Sequence, residues 1–270
     1  MNSPRITIRG GVANTTIPKQ HYPIKLQEVT MLKNLERMKN AITEWAIKDG
    51  LLDDAQFYSQ QEWNERGEEM HDDALLVLTI DSSGLYHLLN FGCDTEEFDD
   101  LVESFGFTYE MGYQWSIGFY PIEDYNYERK TGTYTQKLRD ERWKRKSETV
   151  KKRANYCCQD CNAKAPLDAH HCYYTSMKDG FEPWEYPLSA LRALCRDCHL
   201  KRPIQEIRIR ALLAQLTQSQ LSGLIDGLGN AFNRFETESF LAFMNEVSFH
   251  DHLMKSAISK LKKNTEIYDD

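Results

Sequence analysis

Two Cys-x-x-Cys pairs constrain this chain more than any other feature of its sequence. Cys158 and Cys161 form the first pair, and Cys195 and Cys198 form the second. Four thiolates in two such pairs are typical of a tetrahedral zinc site, with Zn–S distances of about 2.3 Å, which joins two segments that have little core of their own. The spacing therefore predicts a structural zinc ion. Cys157 could compete with Cys158, but only Cys158 is separated from Cys161 by two residues, which is the required spacing.

The cysteine count also bears on the compartment. The chain has seven cysteines, an odd number that fits metal thiolates in a reducing compartment better than a disulfide framework. The first residues lack the apolar segment of a secretory signal, and no apolar run is long enough to span a bilayer. We therefore expect a soluble, cytoplasmic protein without a membrane partner.

Hydrophobic periodicity predicts an α+β fold class with helical and extended segments in turn. Before residue 126 the pattern indicates a short strand and a loop over 1–23, helices over 24–48 and 53–69, and two strands joined by a turn over 74–80 and 85–91. A further helix over 95–103 and a third strand or a hairpin over 107–120 follow. After Pro203 it indicates helices over 204–216, 218–235 and 236–263.

These patterns divide the chain into four predicted regions. An acidic α+β domain of unknown role covers 1–125, a basic helical connector covers 126–154, a zinc domain covers 155–203, and a helical C-terminal extension covers 204–270. Isolated histidines beside predicted strands are more often solvated or hydrogen-bonded structural residues than ligands, and we interpret His71 and His87 in this way. The apolar face of the C-terminal helices would suit a homodimer or another protein partner.

The formal net charge of −8 is unevenly distributed. Acidic residues predominate before residue 126, whereas basic residues predominate from 126 to 213. Basic side chains on a helix can follow a phosphate backbone and release its counterions. The predicted nucleic-acid-binding residues are Lys144, Arg145, Lys146, Lys151, Lys152 and Arg153. Charge alone also suggests that the acidic region shields the basic one until a partner or substrate displaces it.

Three histidines accompany the cysteines but are not needed for a four-cysteine zinc site. His170 and His171 lie between the pairs, and His199 follows Cys198 directly. Histidines gathered in this way are candidates for a second, open metal centre.

The segments LDAHHCYY, PWEYP and LCRDCH, together with the first cysteine pair, resemble the HNH endonucleases that have a zinc-stapled ββα-metal fold. The resemblance covers residues 154–203. It implies an enzyme that hydrolyses DNA phosphodiester bonds, with RNA left open as a substrate. HNH proteins with extra domains often serve in phage, mobile-element or phage-defence settings, so the resemblance implies a role of that kind.

The resemblance also implies roles for the histidines. His170 and His199 would hold the catalytic divalent ion, and His171 would be the general base, since a neutral imidazole can take a proton from water near pH 7. Many family members have a further histidine where this chain has Pro203, and an asparagine where it has Ala190. With two protein ligands the ion would suit Mg²⁺ or Mn²⁺.

The placement of the paired histidines, the alternative function and the role of two aromatic residues remain open at this point. Neighbouring residues of a regular strand point to opposite faces, so His170 and His171 can serve one site only if the strand ends or bends there. The alternative function is a zinc-stabilised module that binds nucleic acid or protein without cutting it. Trp184 and Tyr186 could stack on bases, although aromatic residues beside prolines more often pack a loop against its own domain.

Overall fold

The structure is a computed structural model that describes residues 24–47, 50–174 and 180–265. The chain divides into two compact units, Met1–His199 and Leu200–Asp270. The α+β class is confirmed, since the first unit contains two small sheets with helices and the second is helical. The strand predicted before residue 23 lies outside the described residues, and the boundaries at 125, 154 and 203 stay predictions.

A four-stranded antiparallel sheet organises the N-terminal part of the first unit. Its strands are β1 (Gln56–Ser59), β2 (Leu76–Thr79), β3 (Phe107–Gly112) and β4 (Ser116–Pro121), in the order β1-β2-β4-β3. The predicted helix over 24–48 is present as α1 (Ile24–Ile47), whose Met38 and Ile42 are fully buried in the same core as the sheet. The predicted hairpin is the β3–β4 pair.

The helix predicted over 53–69 is wrong in its first half. Its residues 56–59 form β1, which pairs with β2, and the helix α2 covers only Gln60–Arg66. Ser59 sets this boundary because its hydroxyl accepts a hydrogen bond from the Glu62 amide while the Glu62 carboxylate accepts one from the Ser59 amide. This reciprocal capping box fixes a helix start that hydrophobic periodicity does not show.

The strand predicted over 85–91 is also wrong, because this segment is the helix α3 (Gly84–Asn90). Ser83 caps it, accepting a hydrogen bond from the Tyr86 amide at 3.2 Å. Leu85, Leu88 and Leu89 recur at helical spacing and pack on the core. The next helix, α4 (Glu96–Ser104), is as predicted, with Phe98, Leu101 and Val102 fully buried.

The opposite face of the sheet holds a buried histidine. His71 has a positive φ of 65° and only 6% of its surface exposed. Its ring lies against Gly112 and Gly118, where a Cβ atom would meet it at 2.3 and 2.4 Å. Its Nδ1 lies 3.1 Å from the Tyr120 hydroxyl. The structural interpretation of His71 agrees with this packing.

In the rest of the first unit, a basic helix is followed along the chain by a ββα arrangement. The short helix α5 (Tyr134–Lys137) and the helix α6 (Glu141–Arg153) precede a two-stranded antiparallel sheet of β5 (Leu167–His171) and β6 (Leu191–Cys195). Single-turn 3-10 helices occupy Pro183–Glu185 and Leu188–Ala190. The core between α6 and the hairpin contains Trp143, Val150, Trp184, Leu188, Leu191 and Ala193.

Four helices follow β6. They are α7 (Arg196–Leu213), α8 (Gln218–Arg234), α9 (Thr237–Ser248) and α10 (Asp251–Thr265). The predicted start at 204 is wrong because Pro203 lies inside α7, where proline removes one backbone hydrogen bond without ending the helix. The single helix predicted over 236–263 is two helices, and the second begins at Asp251, an acidic residue that suits a helix N-terminus. In the described part of the chain, no helix has the length and apolarity that crossing a membrane requires.

Candidate metal centre and histidine site

The four predicted cysteines come together at the base of the ββα arrangement. Their sulfur atoms all lie within 4.8 Å of one another, and those of Cys161 and Cys195 are 3.7 Å apart. Cys158 and Cys161 bracket a tight turn in which the Asn162 amide donates to the Cys158 carbonyl at 2.7 Å. Cys195 is the last residue of β6, and Cys198 lies in the first turn of α7. The donor set fits a tetrahedral ion such as zinc.

The electrostatics of the cluster also fit a cation. Burial opposes ionisation of Cys158, but hydrogen bonds from the backbone at Cys195, Asp160 and Cys161 lower its pKa to about 6. The thiol of Cys161 and the other neighbouring thiols raise the pKa of Cys198 to about 12. Several thiolates so close together repel one another unless a cation neutralises them, and the thiolate is the form that binds metal.

Two of the three histidines face each other beside this cluster. The ring centroids of His170, on β5, and His199, on α7, are 5.0 Å apart. Asp168 shares their side of the hairpin, because alternate residues of a strand point to the same face, and its Oδ2 lies 3.6 Å from the Nδ1 of His199. The sequence analysis did not single out Asp168. The period-two spacing from His170 was the signal that could have identified it.

His171 lies in a different environment. Its side chain is stacked between Trp143, with ring centroids 5.0 Å apart, and Tyr174, at 5.3 Å, and it is only 4% exposed. Strand β5 ends at His171, as the sequence analysis required, but the ring packs in the aromatic core. Tyr186 meets the same ring edge-on at 4.9 Å. Tyr186 and the fully buried Trp184 therefore pack the loop against its own domain.

Both ring nitrogens of His171 have protein partners. Nε2 lies 3.0 Å from the Pro183 carbonyl oxygen, which can only accept, so Nε2 carries the hydrogen. The lone pair is then on Nδ1, where the Tyr134 hydroxyl lies 3.1 Å away and donates to it. Burial is the main reason that the pKa of His171 falls to about 4. The imidazole is therefore neutral at pH 7, and its lone pair faces Tyr134.

The predicted basic surface is present in part. Lys144, Arg145, Lys152 and Arg153 are exposed on α6, and Lys151 is half-buried. Two of the exposed residues pair with acids: Lys144 with Glu141 at 2.6 Å and Arg153 with Glu96 at 3.1 Å.

Lys146 requires a correction, because it is buried rather than exposed to a phosphate. Its ammonium forms an ion pair with Asp100 and donates to the Ser104 hydroxyl at 2.9 Å. Helical spacing explains the difference, since Lys146 shares the inner face of α6 with Trp143 and Val150.

Comparison with known proteins gives one partial similarity. Over 66 residues the chain is 33% identical to the Zorya protein ZorE of Escherichia coli. The match covers 24% of this chain and 17% of that protein's length. No family model matches the chain, and no solved structure matches it significantly.

Proposed function

We propose that this protein is a metal-dependent endonuclease of the HNH type that hydrolyses DNA phosphodiester bonds. The observation that carries the proposal is the pair of His170 and His199, whose rings meet at the junction of the β5–β6 hairpin and α7, next to the four-cysteine cluster. The ββα order and the closed sulfur cluster support the same assignment. The partial similarity to a Zorya protein is compatible with it, and a role in phage defence stays a prediction.

The two metal roles differ in the ligands available. Cys158, Cys161, Cys195 and Cys198 would hold a structural zinc ion, since four thiolates leave no open position. His170 and His199 would hold Mg²⁺ or Mn²⁺, and the Asp168 carboxylate would add the oxygen ligand that these ions prefer. A bound divalent ion would supply charge stabilisation at the scissile phosphate and its leaving oxygen.

His171 would act as the general base in its neutral form. Its Nδ1 lone pair is engaged by Tyr134, a residue whose side chain is about half exposed. Burial is the main cause that raises the pKa of the Tyr134 phenol, so the hydroxyl stays protonated and donates to His171. Water would reach the Nδ1 lone pair after the Tyr134 side chain rotates away. In the structure the Tyr134 hydroxyl covers that lone pair.

The exposed residues of α6 would hold the DNA backbone. Arg145 and Lys152 are exposed and their side chains lie on the basic helix that precedes the zinc cluster. Contacts of this kind position a duplex without reading its sequence.

A plasmid-cleavage assay tests the proposal. Wild-type protein, His170→Ala and His171→Ala are compared in Mg²⁺, Mn²⁺ and EDTA, after zinc content and melting temperature have been measured. His87→Ala is the matched control, because His87 is an exposed histidine outside the site. Metal-dependent nicking that both site variants lose, and the control keeps, is the expected result.

A binding module without catalysis is the second candidate. The observation that favours it is that His171 is buried with both ring nitrogens engaged. Salt-dependent DNA binding by the wild type, with no cleavage in either metal, would support this candidate against the nuclease.

A further inference from the structure

The 3-10 turn Pro183–Glu185 sets the orientation of His171. The Pro183 carbonyl oxygen accepts a hydrogen bond from the Nε2–H group of His171. This hydrogen bond fixes the tautomer and leaves the lone pair on Nδ1. The turn is closed by the Glu185 amide, which donates to the Glu182 carbonyl at 2.9 Å. The position of the Pro183 carbonyl therefore depends on what holds the two glutamates on either side of it.

Glu185 is held by an arginine from the N-terminal part of the chain. Its side chain is 2% exposed, and Arg37 of α1 contacts both carboxylate oxygens, with Nη1 donating to Oε1 at 2.9 Å and Nη2 ion-paired with Oε2. The Oε2 atom also accepts a hydrogen bond from the Glu182 amide at 2.7 Å. Two-nitrogen contacts of this kind fix direction as well as distance.

Arg37 is itself held in place by its surroundings. Nη1 also donates to the Asn34 side-chain oxygen at 3.0 Å, and Asn34, which is 3% exposed, donates to the Phe105 carbonyl at 3.2 Å. The guanidinium lies 5.7 Å from the centroid of the Phe105 ring. The arginine is thus anchored between α1 and the end of α4 before it reaches the turn.

We infer that Arg37 is a positioning residue for His171, acting through Glu185 and the Pro183 carbonyl. The N-terminal α+β region then forms part of the nuclease site rather than an independent attachment to it. The catalytic consequence rests on the proposed function, whereas the geometric relationship between Arg37 and His171 does not. Replacement of Arg37 by a neutral residue would leave the Glu185 carboxylate buried without its counter-ion. Because a buried unpaired charge is unfavourable, the turn would shift so that water hydrates the carboxylate.

The test compares full-length Arg37→Gln and Arg37→Lys with wild type. The matched control is Lys33→Gln, which removes an exposed positive charge one helical turn earlier on α1. The first readout is the Nε2–H signal of His171 in ¹⁵N-histidine NMR spectra, assigned with His171→Gln. The second is DNA cleavage, resolved into kcat and KM.

We expect Arg37→Gln to shift or broaden the His171 signal and to lower kcat about tenfold or more, because small displacements of a catalytic group cost large factors in rate. KM for DNA should stay within about twofold, since Arg37 is not one of the exposed basic residues of α6 that would hold the DNA. Arg37→Lys, which keeps the charge but not the two-nitrogen contact, should be intermediate, and Lys33→Gln should match wild type.

An unchanged His171 signal and an unchanged kcat in Arg37→Gln would overturn the inference. If wild type does not cleave DNA, the proposed function fails while the NMR signal still decides the positioning. If Arg37→Gln does not fold, the double variant Arg37→Gln/Glu185→Gln removes both buried charges together, and the same two readouts apply to it.

Discussion

Lys146 and Asp100 form an ion pair buried between α6 and α4. Burial lowers the pKa of the lysine and raises the pKa of the carboxyl group, so each depends on the other to stay charged. The pair joins the basic connector to the acidic N-terminal region at a point where opposite charges had been predicted to meet. The lysine side chain is 2% exposed and the aspartate side chain 17%, so the contact lies inside the first unit and is not a surface ion pair.

Breaking this ion pair should destabilise the fold. Lys146→Met leaves Asp100 buried and unpaired, and the free energy of unfolding should fall by about 3 kcal/mol, as measured by urea denaturation. The double variant Lys146→Met/Asp100→Asn should recover part of that loss. Lys144→Met, at an exposed position of α6, should change stability by no more than about 0.5 kcal/mol. Equal effects at the two lysines would contradict the buried pair.

Removing residues 1–125 should not increase the DNA cleavage that we propose for this protein. Truncation would strip Asp100 and Arg37 from their buried partners and uncover the ring of Phe181, which packs on Phe105 with centroids 5.8 Å apart. We expect the truncated protein to lose cooperative thermal unfolding in circular dichroism and to become sensitive to protease. A folded truncated protein that cleaves faster would instead support the shielding that the charge distribution suggested.

Zinc should depend on Cys158 and not on Cys157. The Cys157 sulfur lies 3.4 Å from the Asn155 carbonyl and outside the four-cysteine cluster. Cys158→Ser should abolish the zinc binding that we propose and unfold the hairpin, because structural zinc contributes about 10 kcal/mol or more in small modules. Cys157→Ser should keep full zinc content by elemental analysis. Zinc loss in both variants, or in Cys157→Ser alone, would contradict this assignment.

Stability should fall as the pH drops below neutral, partly because of His71. Burial lowers its pKa below the 6.5 of an unperturbed histidine, although Ser116, Glu110 and Asp73 oppose the shift. Below pH 6.5 the unfolded chain takes up the proton before the native protein does, so native stability is lost until the pH reaches the lower native pKa.

The check is the urea midpoint of wild type, His71→Asn and His87→Asn between pH 7.5 and about pH 5. Asparagine tolerates the positive φ at position 71. His71→Asn should flatten the decline, whereas the exposed His87→Asn should leave it as in wild type. Parallel curves for all three proteins would show that His71 does not contribute.

DNA affinity should depend on salt through the exposed residues of α6. Arg145→Gln and Lys152→Gln should each reduce the slope of log affinity against log salt by about 1, because each would remove one of the proposed phosphate contacts. Lys146→Met should leave the slope unchanged, since its ammonium is buried. Fluorescence anisotropy from low to high salt measures both, and a slope that is insensitive to Arg145 and Lys152 would move the DNA surface elsewhere.

The sequence predicted best those features that depend on spacing alone. The four cysteines cluster because the Cys-x-x-Cys spacing lets both sulfur atoms of a pair point toward the same site. The helices α1 and α4 follow from apolar residues at helical intervals. The segment from Leu85 to Phe91 could not be assigned in this way, because its apolar residues fit a buried strand and a helix equally well. A side-chain cap at Ser83 decided between them.

The contacts between residues that are far apart in the chain could not be predicted from the sequence either. Lys146 resembles its basic neighbours in the sequence, and only the fold turns it toward Asp100. The same holds for Glu185, whose motif was noted but whose partner Arg37 lies far away in the chain. The tight packing of His171 among aromatic rings also depends on α6, which no motif connects to β5.

The close packing of His71 against β4 limits which residues this strand can have at position 118. Because a Cβ atom at position 118 would meet the imidazole at 2.4 Å, position 118 accepts only glycine while His71 is in place. Alanine at position 118 becomes acceptable only after the ring has been replaced by something smaller. A library that randomises both positions should therefore accept side chains at position 118 only where the residue at position 71 is smaller than histidine.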